Sequence, residues 1–488
     1  MTERLDALVA LGTGAAQGRG IVLCPLCGCP LPSTAKFCRE CAASLNGGRQ
    51  APMARSTLAA AAFTDRPLAN GKTKVTLPGN FWRQLTASGI SALGDGITQS
   101  ALPVLAVSLT ADTRLIAGVS FALFLPWFLF ALPAGVVVDR YNRQRIMVIT
   151  NLIRAALLGA IALTAATGTL NIWILMAILF VVGTAEVFFD SSAQAILPAL
   201  VNNEQLPRAN GLLATTESLF MQFIGQPIGA LLIALLIGLP FGIDAASFAV
   251  AAALVASLTV SFPAHSSNGA SDASYRATIA DGLRRIWSHQ VLRSLWLLLG
   301  LVNFASLFGF SILVKFSLDE LHVSKRWYGA FLGLMALGAV IGGLLGDRVM
   351  GRFGRSKALL LSYFLMGLTP LAMGLSPNPY VFAAFSALEA FGIAIWNVAS
   401  RSMRQQMIPT QLFGRVNGAY RWLGSGAMAF GALVGGQLGH IFNLRAPYIV
   451  GGIAILLGWI YARLTLTDAK ILVGEQYDWG QVTNAELG

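Results

Sequence analysis

Charge is what this sequence has least of. Only 11% of its 488 residues are Asp, Glu, Lys or Arg, against about 25% in soluble domains. That deficit excludes one large soluble domain, because a soluble core still needs a charged surface. It is the composition of a chain that crosses a membrane many times. Histidine is scarce and scattered, at positions 265, 289, 322 and 440. No Ser-His-Asp set, phosphate-binding P-loop or dinucleotide glycine motif occurs, so neither an enzyme nor an ATP-driven pump within this chain is expected. Cysteine is absent after residue 41. A signal peptide is missing too: Glu3 and Asp6 spoil the basic lead-in, and glycines break the apolar run. The N-terminus is therefore expected in the cytosol.

What the chain has is apolar length, with 55% hydrophobic residues. From 80 to 466, runs of roughly 20 residues follow one another, each long enough to cross a ~30 Å hydrocarbon core as a helix. About twelve are expected: 82–109, 115–138, 146–166, 171–196, 209–238, 241–262, 291–316, 327–347, 357–375, 378–400, 413–440 and 446–465. The longest gap, 263–290, divides them six and six. The expected domains are thus a bundle at 80–262, a central loop at 263–290 and a second bundle at 291–466. A segment at 20–45 and a linker at 46–79 precede them, and a polar tail at 467–488 follows.

The net charge of +12 sits in short clusters between apolar runs. Such clusters suit an anionic cytoplasmic lipid leaflet, and no nucleic-acid partner is expected. Fifteen Lys and Arg fall in one set of loops and five in the other. Both termini and the central loop are therefore expected in the cytosol, with the chain in the plasma (inner) membrane.

The halves repeat. "GVVVDR" at Gly135 recurs as "GLLGDR" at Gly343, and "ANG" at 209–211 recurs as "VNG" at 416–418, with offsets of 208 and 207 residues. Gly229 then meets Gly436. Two parallel repeats imply a pseudo-twofold axis along the membrane normal, with a substrate path between the halves.

The cluster after the second span carries Gly135, Asp139, Arg140, Arg143 and Arg145, echoed by Gly343, Asp347 and Arg348. This pattern resembles the signature loop of the major facilitator superfamily. The stretches "SGISALGDGITQSALPVLAVSLT", "FFDSSAQAILPALV" and "FGRVNGAYRWLGSGAMAFGALVGG" are similar to its branch of enterobactin exporters and macrolide-efflux proteins. The resemblance covers residues 80–465. It implies an all-α fold of two six-helix bundles, with the loop latching the halves on the cytoplasmic side; topology alone is the other reading of the arginines. Glycine at 135 would let a neighbouring helix approach. Asn142 stands where the family has glycine and is expected at positive φ.

"GQPIGA" at 225–230 resembles the glycine-proline motif of the fifth helix in facilitator antiporters. Gly225 and Gly229 lie on one stripe suited to tight packing, while Pro227 removes a backbone hydrogen bond and bends the helix. The resemblance implies proton-coupled export.

Charges at membrane depth cost about 2.5–3.5 kcal/mol on insertion scales, and they usually pair or line cavities. The candidates are Asp95, Arg154, Glu186, Glu217, Glu389 and Arg421. Asp95 and Glu389, near mid-depth in opposite halves, are read as protonation sites or as structural groups. Arg154, Glu186 and Glu217 form one network or a structural salt bridge. Asp190 is assigned a structural role near the interface. Abundant aromatics, among them Phe124, Trp127 and Trp396, suit a bulky amphipathic substrate.

Cys24, Cys27, Cys38 and Cys41 give C-x2-C-x10-C-x2-C, which supplies four thiolates to one structural zinc. The segment resembles a short zinc ribbon. A protein partner, self-association or mere stabilisation all remain open as its role, and Cys29 is a bystander. Taken together, the residues predict a secondary transporter exporting a small amphipathic compound, drug-like or siderophore-like, in exchange for protons. Uptake by the same fold, or a non-transporting sensor or scaffold acting through the ribbon, are the alternatives.

Overall fold

With no water in a bilayer to take up backbone polar groups, an apolar run of about 20 residues is forced into a helix. The computed structural model of the chain has helices wherever such runs occur. It describes residues 21–23, 30–32, 77–202, 205–259, 282–324, 328–475 and 477. The chain divides into two units, 1–74 and 75–488. In the first, β1 (Ile21–Leu23) pairs antiparallel with β2 (Pro30–Pro32), Val22 opposite Leu31. All five cysteines lie outside the described residues.

The second unit is all helix. Its first half comprises α1 (Gly79–Leu109), α2 (Thr113–Arg140), α3 (Arg143–Ala166), α4 (Ile172–Leu200), α5 (Leu206–Ser218), α6 (Gln226–Leu235) and α7 (Leu239–Ala256). Its second half comprises α8 (Gln290–Phe310), α9 (Leu313–Asp319), α10 (Tyr328–Phe353), α11 (Arg355–Gly374), α12 (Pro379–Met407), α13 (Thr410–Ile441) and α14 (Ala446–Thr465). A π-helical stretch, Leu219–Gly225, joins α5 to α6 in one rod, and α8 continues through a break at Ser311–Ile312 into α9. Ten rods are long and apolar enough to cross a membrane. With α10 and α13, of 26 and 32 residues, the described residues hold twelve in two sets of six.

Helix ends follow local chemistry. Asn171 accepts hydrogen bonds from the amides of Trp173 and Ile174 to start α4, and Asn378 caps α12 ahead of Pro379. Asn142 departs from expectation. Its φ is −65°, and its side chain accepts from Arg145 N at 3.1 Å as the N-cap of α3. The loop needs a cap there, not a left-handed turn. The left-handed residue belongs to the second copy, where Gly354 has φ +80°. The segment read as a polar tail begins with another helix, α15 (Asp468–Glu475). Ile471 joins the core of the second half, and Gly474 O lies 3.0 Å from His289 Nε2.

Glycines set the closest approaches. A Cβ on Gly225 would lie 2.6 Å from Leu93 O, and one on Gly229 2.2 Å from Ile97 O, so α6 and the π stretch press on the α1 backbone. In the second half Gly431 and Gly435 press likewise on Phe304 O and Phe308 O of α8, at 2.0 and 2.3 Å. The structural counterpart of Gly229 is therefore Gly435. Gly436 faces the other half instead, with its Cβ direction 2.5 Å from Ala117 Cβ. The repeat offset here is 206 residues, because the register slips along the seam.

Candidate functional site

Two of the cavities among the described residues hold candidate site residues. The first, about 210 Å³, is lined by Asp95, Arg154, Glu186, Asp190 and Glu217 together with Trp127 and Met221. Asp95 on α1 and Arg154 on α3 form an ion pair at 2.6 Å. Arg154 is 2% exposed and sits over the Phe248 ring at 3.8 Å. Its guanidinium is thus held on one face by an aromatic ring and on another by a carboxylate. It is the one cation among the lining residues, facing four carboxyl groups.

Asp190, assigned a structural place near the interface, lines this cavity and is bonded by Arg421 of α13, in the other half. That pair joins the halves across the cavity. Arg421 also lies 5.1 Å from the Trp127 ring. Beyond it α13 docks on α2: Trp422 Nε1 donates to Phe128 O at 3.0 Å, and Phe128 stacks on the Trp422 ring.

Asp244 was missed by the sequence reasoning. It is fully buried on α7. Thr98 Oγ1 donates to its Oδ2 at 2.5 Å, and Ser247 Oγ to its Oδ1 at 3.0 Å. Gly94 makes room for it, since a Cβ there would lie 2.0 Å from Asp244 Oδ1. The signal was present as an aspartate inside the apolar run "GIDAASFAV".

The second cavity, about 400 Å³, lies mostly in the second half, with Gln99 and Phe124 contributed by the first. Glu389 lines it; Asp95 does not. The two mid-depth carboxyls therefore serve different cavities. Gln226, where the motif departs from glycine, donates to Gln99 Oε1 at 2.7 Å, linking the fifth rod to this cavity. Pro227 is accommodated by the preceding π stretch, in which Gln226 N bonds Met221 O.

The signature loops do different things in the two halves. Arg143 Nη1 donates to Ala195 O at 2.9 Å, and Gln144 Nε2 bonds the carbonyls of Val255 and Leu258 at the end of α7. Gly135 and Arg140 close α2, and Arg145 follows in α3. The side chains of Asp139 and Asp347 lie outside the described residues. Gly343 has nothing within 4 Å of an added Cβ, and Arg348 is exposed beside it. Close approach falls to Gly338 and Gly342, which face Ala387 O and Phe391 O at 1.6 and 2.7 Å.

At the opposite end of the bundle Arg114 bonds Asp112 through its guanidinium and amide, holding that carboxyl down to about 2. His440 Nδ1 of α13 lies 3.8 Å from the same group. Arg445 ties α9 to α11 by bonding Glu320 at 3.2 Å and the carbonyls of Gly374 and Ser376.

Two six-helix halves around cavities, the charges facing inward, define a membrane transporter of the major facilitator fold. Solved structures agree on the fold. A variant of the nucleoside transporter NupG superposes with a TM-score of 0.64 at 14% identity, over 80% of this chain and 100% of that one. A bacterial homologue of the iron transporter ferroportin, inward-facing, gives 0.59 at 16% identity, over 80% and 98%. Residues 78–478 match the profile of the transmembrane secretion effector family, and the chain belongs to that family of major facilitator transporters. Among its relatives, macrolide efflux protein A of Streptococcus pyogenes is 24% identical over 388 residues, covering 77% of this chain and 93% of that protein. Macrolide efflux protein A of Enterococcus faecalis is 27% identical over 316 residues, covering 62% and 94%.

Proposed function

We propose that this multi-pass membrane protein exports a small amphipathic compound from the cytosol in exchange for protons, by alternating access. The Asp95–Arg154 pair carries the coupling. A carboxylate that is bonded to the one cation of a buried cavity can release that cation only by taking a proton. Asp190 and Arg421 then transmit the change across the halves. The names of the efflux relatives support export, and the excess of Lys and Arg at the Asp139 end supports a cytosolic position for it.

Everted vesicles with an imposed pH gradient provide the test. The wild-type chain is expected to accumulate an amphipathic dye when the interior is acid, and Asp95→Asn, with uptake normalised to the amount of protein inserted, to lose the gradient dependence. Gradient-driven accumulation persisting in Asp95→Asn refutes the coupling role.

In the same reading, Cys24, Cys27, Cys38 and Cys41 hold one structural zinc, and the ribbon offers a face for a protein partner. Four thiolates at this spacing fit a tetrahedral ion with no open position for chemistry, and the β1–β2 hairpin flanking Cys24 and Cys27 supports it. Metal analysis of the purified chain should find one zinc per molecule, lost in a Cys24→Ser, Cys27→Ser variant. A chain free of zinc after purification without chelator removes the ribbon.

A further inference from the structure

His289 lines neither cavity, yet it is 1% exposed. It caps α8 just before the span begins. Both ring nitrogens are engaged: Nδ1 faces Leu292 N at 3.3 Å, and Nε2 faces Gly474 O of α15 at 3.0 Å. An amide can only donate and a carbonyl can only accept, so the ring is neutral with its one proton on Nε2. Tyr477 completes the contact. Its ring centre lies 4.8 Å from that of the imidazole, and its hydroxyl donates to Ser288 Oγ at 3.3 Å. The fit needs the glycine, since a Cβ on Gly474 would lie 3.0 Å from His289 Cε1.

The segment held this way reaches the core. Ile471 packs in one cluster with Leu292 of α8, Leu359 of α11 and Met407 of α12. Just before it, Ser356 Oγ of α11 donates to Leu466 O at 2.5 Å. The chain after α14 thus binds together the ends of three helices of the second half. A second proton on His289 undoes the grip. It would set an Nδ1–H against the Leu292 N–H, donor against donor, and bury an imidazolium at the positive end of a helix.

Histidine is the side chain whose charge changes near neutral pH. Burial pushes His289 below its ordinary value of about 6.5, and the bond to Gly474 O offsets part of that. The other ionisable groups on the elements packed against the ring are Arg284, Arg285, Arg293, Tyr477, and Asp468 and Lys470 of α15. Arg293 donates to Trp287 O at 3.1 Å and Lys470 to Leu464 O at 2.6 Å. The cations among these groups oppose a charged ring. The side chain of Glu475 lies outside the described residues.

From this geometry we infer that residues 468–477 are a pH-released clasp, gripping the ends of α8, α11 and α12 while the His289 ring is neutral and letting go when Nδ1 takes up a proton. The neutral ring favours the docked segment, so the grip is complete above about pH 6.5 and weakens as the pH falls below it. No substrate or coupling residue enters this inference, and it stands or falls apart from the transport reading.

Hydrogen–deuterium exchange of the full-length purified protein, corrected for the intrinsic effect of pH on exchange, supplies the test. Protection of 468–475 is expected to be constant above about pH 6.5 and to fall by up to about 10-fold for each pH unit below it, the limit for one proton. Peptides from α14 should keep their protection over the same range. His289→Asn retains a favoured helix cap but no group that titrates here. Its protection of 468–475 should be lower than that of the wild type and flat from pH 7.5 to 5. Tyr477→Leu should lower protection at every pH and keep the slope. Constant protection in the wild type, a slope that survives His289→Asn, protection that rises in acid through an ion pair with Glu475, or an equal loss in α14 each overturns the clasp.

Discussion

Arg154→Met will abolish transport and most of the folded yield, and adding Asp95→Asn to the same chain will restore the yield without the transport. The charge count explains both results. Arg154 is the one cation lining a cavity that holds Asp95, Glu186, Asp190 and Glu217; Asp190 has a partner in Arg421, and the cation paired with Asp95 is Arg154, at 2.6 Å. Removing one member of a buried pair costs about 3–5 kcal/mol, because the other charge is left behind in a medium that cannot solvate it. Against a total stability of about 5–15 kcal/mol, that is enough to send most of the protein to degradation. Neutralising Asp95 removes the stranded charge, and a methionine over Phe248 keeps the packing that the guanidinium had at 3.8 Å. The double variant lacks the proton-dependent release of a cation, so gradient-driven accumulation in vesicles should stay at background. Yield is read by fluorescence-detected size exclusion. A single variant that folds normally would show that Asp95 is protonated and uncharged in the resting protein. A double variant that transports would show that the pair is structural.

The architecture was legible because membrane physics leaves few alternatives. A run such as 172–200 can only be a helix in hydrocarbon, and the Gly135 and Gly343 motifs announced two halves. Where the boundaries moved, a cap had decided them: Asn142 starts α3 from an ordinary φ, and the tail became α15 because Ile471 has a core to enter. The site was legible as a set of residues and not as an arrangement. Asp95, Arg154, Glu186 and Glu217 were chosen because charges at depth are costly, and the fold brings them to one cavity. The sequence did not reveal that Asp95 pairs with Arg154, that Asp190 reaches Arg421 in the other half, or that Glu389 serves a separate cavity. Each depends on which faces of neighbouring helices meet. Asp244 was overlooked because it lies in a run whose other residues are all uncharged. Thr98 and Ser247, which satisfy it, and Gly94, which makes room for it, come from two helices. Periodicity likewise could not tell Gly435 from Gly436, although one faces α8 and the other α2.

The two glycine seams give the second large effect. Gly229→Ala and Gly431→Ala should each destabilise the protein by about 1–3 kcal/mol, the usual cost of overpacking, with the double variant showing the sum. In each case the added methyl would meet a backbone carbonyl oxygen, Ile97 O at 2.2 Å or Phe304 O at 2.0 Å. A carbonyl cannot rotate away as a side-chain end can, so the two helices must separate. Separation also takes dispersion contacts from every residue along the seam. The sites lie in different halves without shared partners, and costs at such sites add. Gly211→Ala and Gly333→Ala are the controls: nothing lies within 4 Å of a Cβ at either position, and alanine favours the helix by up to about 1 kcal/mol over glycine. Thermal unfolding of the purified variants in one detergent is the measurement. The seam variants should melt below wild type, and the controls at or above it. Equal melting of Gly229→Ala and Gly211→Ala would mean that α6 does not press on α1 as closely as 2.2 Å requires, and the packing account of the glycine-proline motif would fall with it.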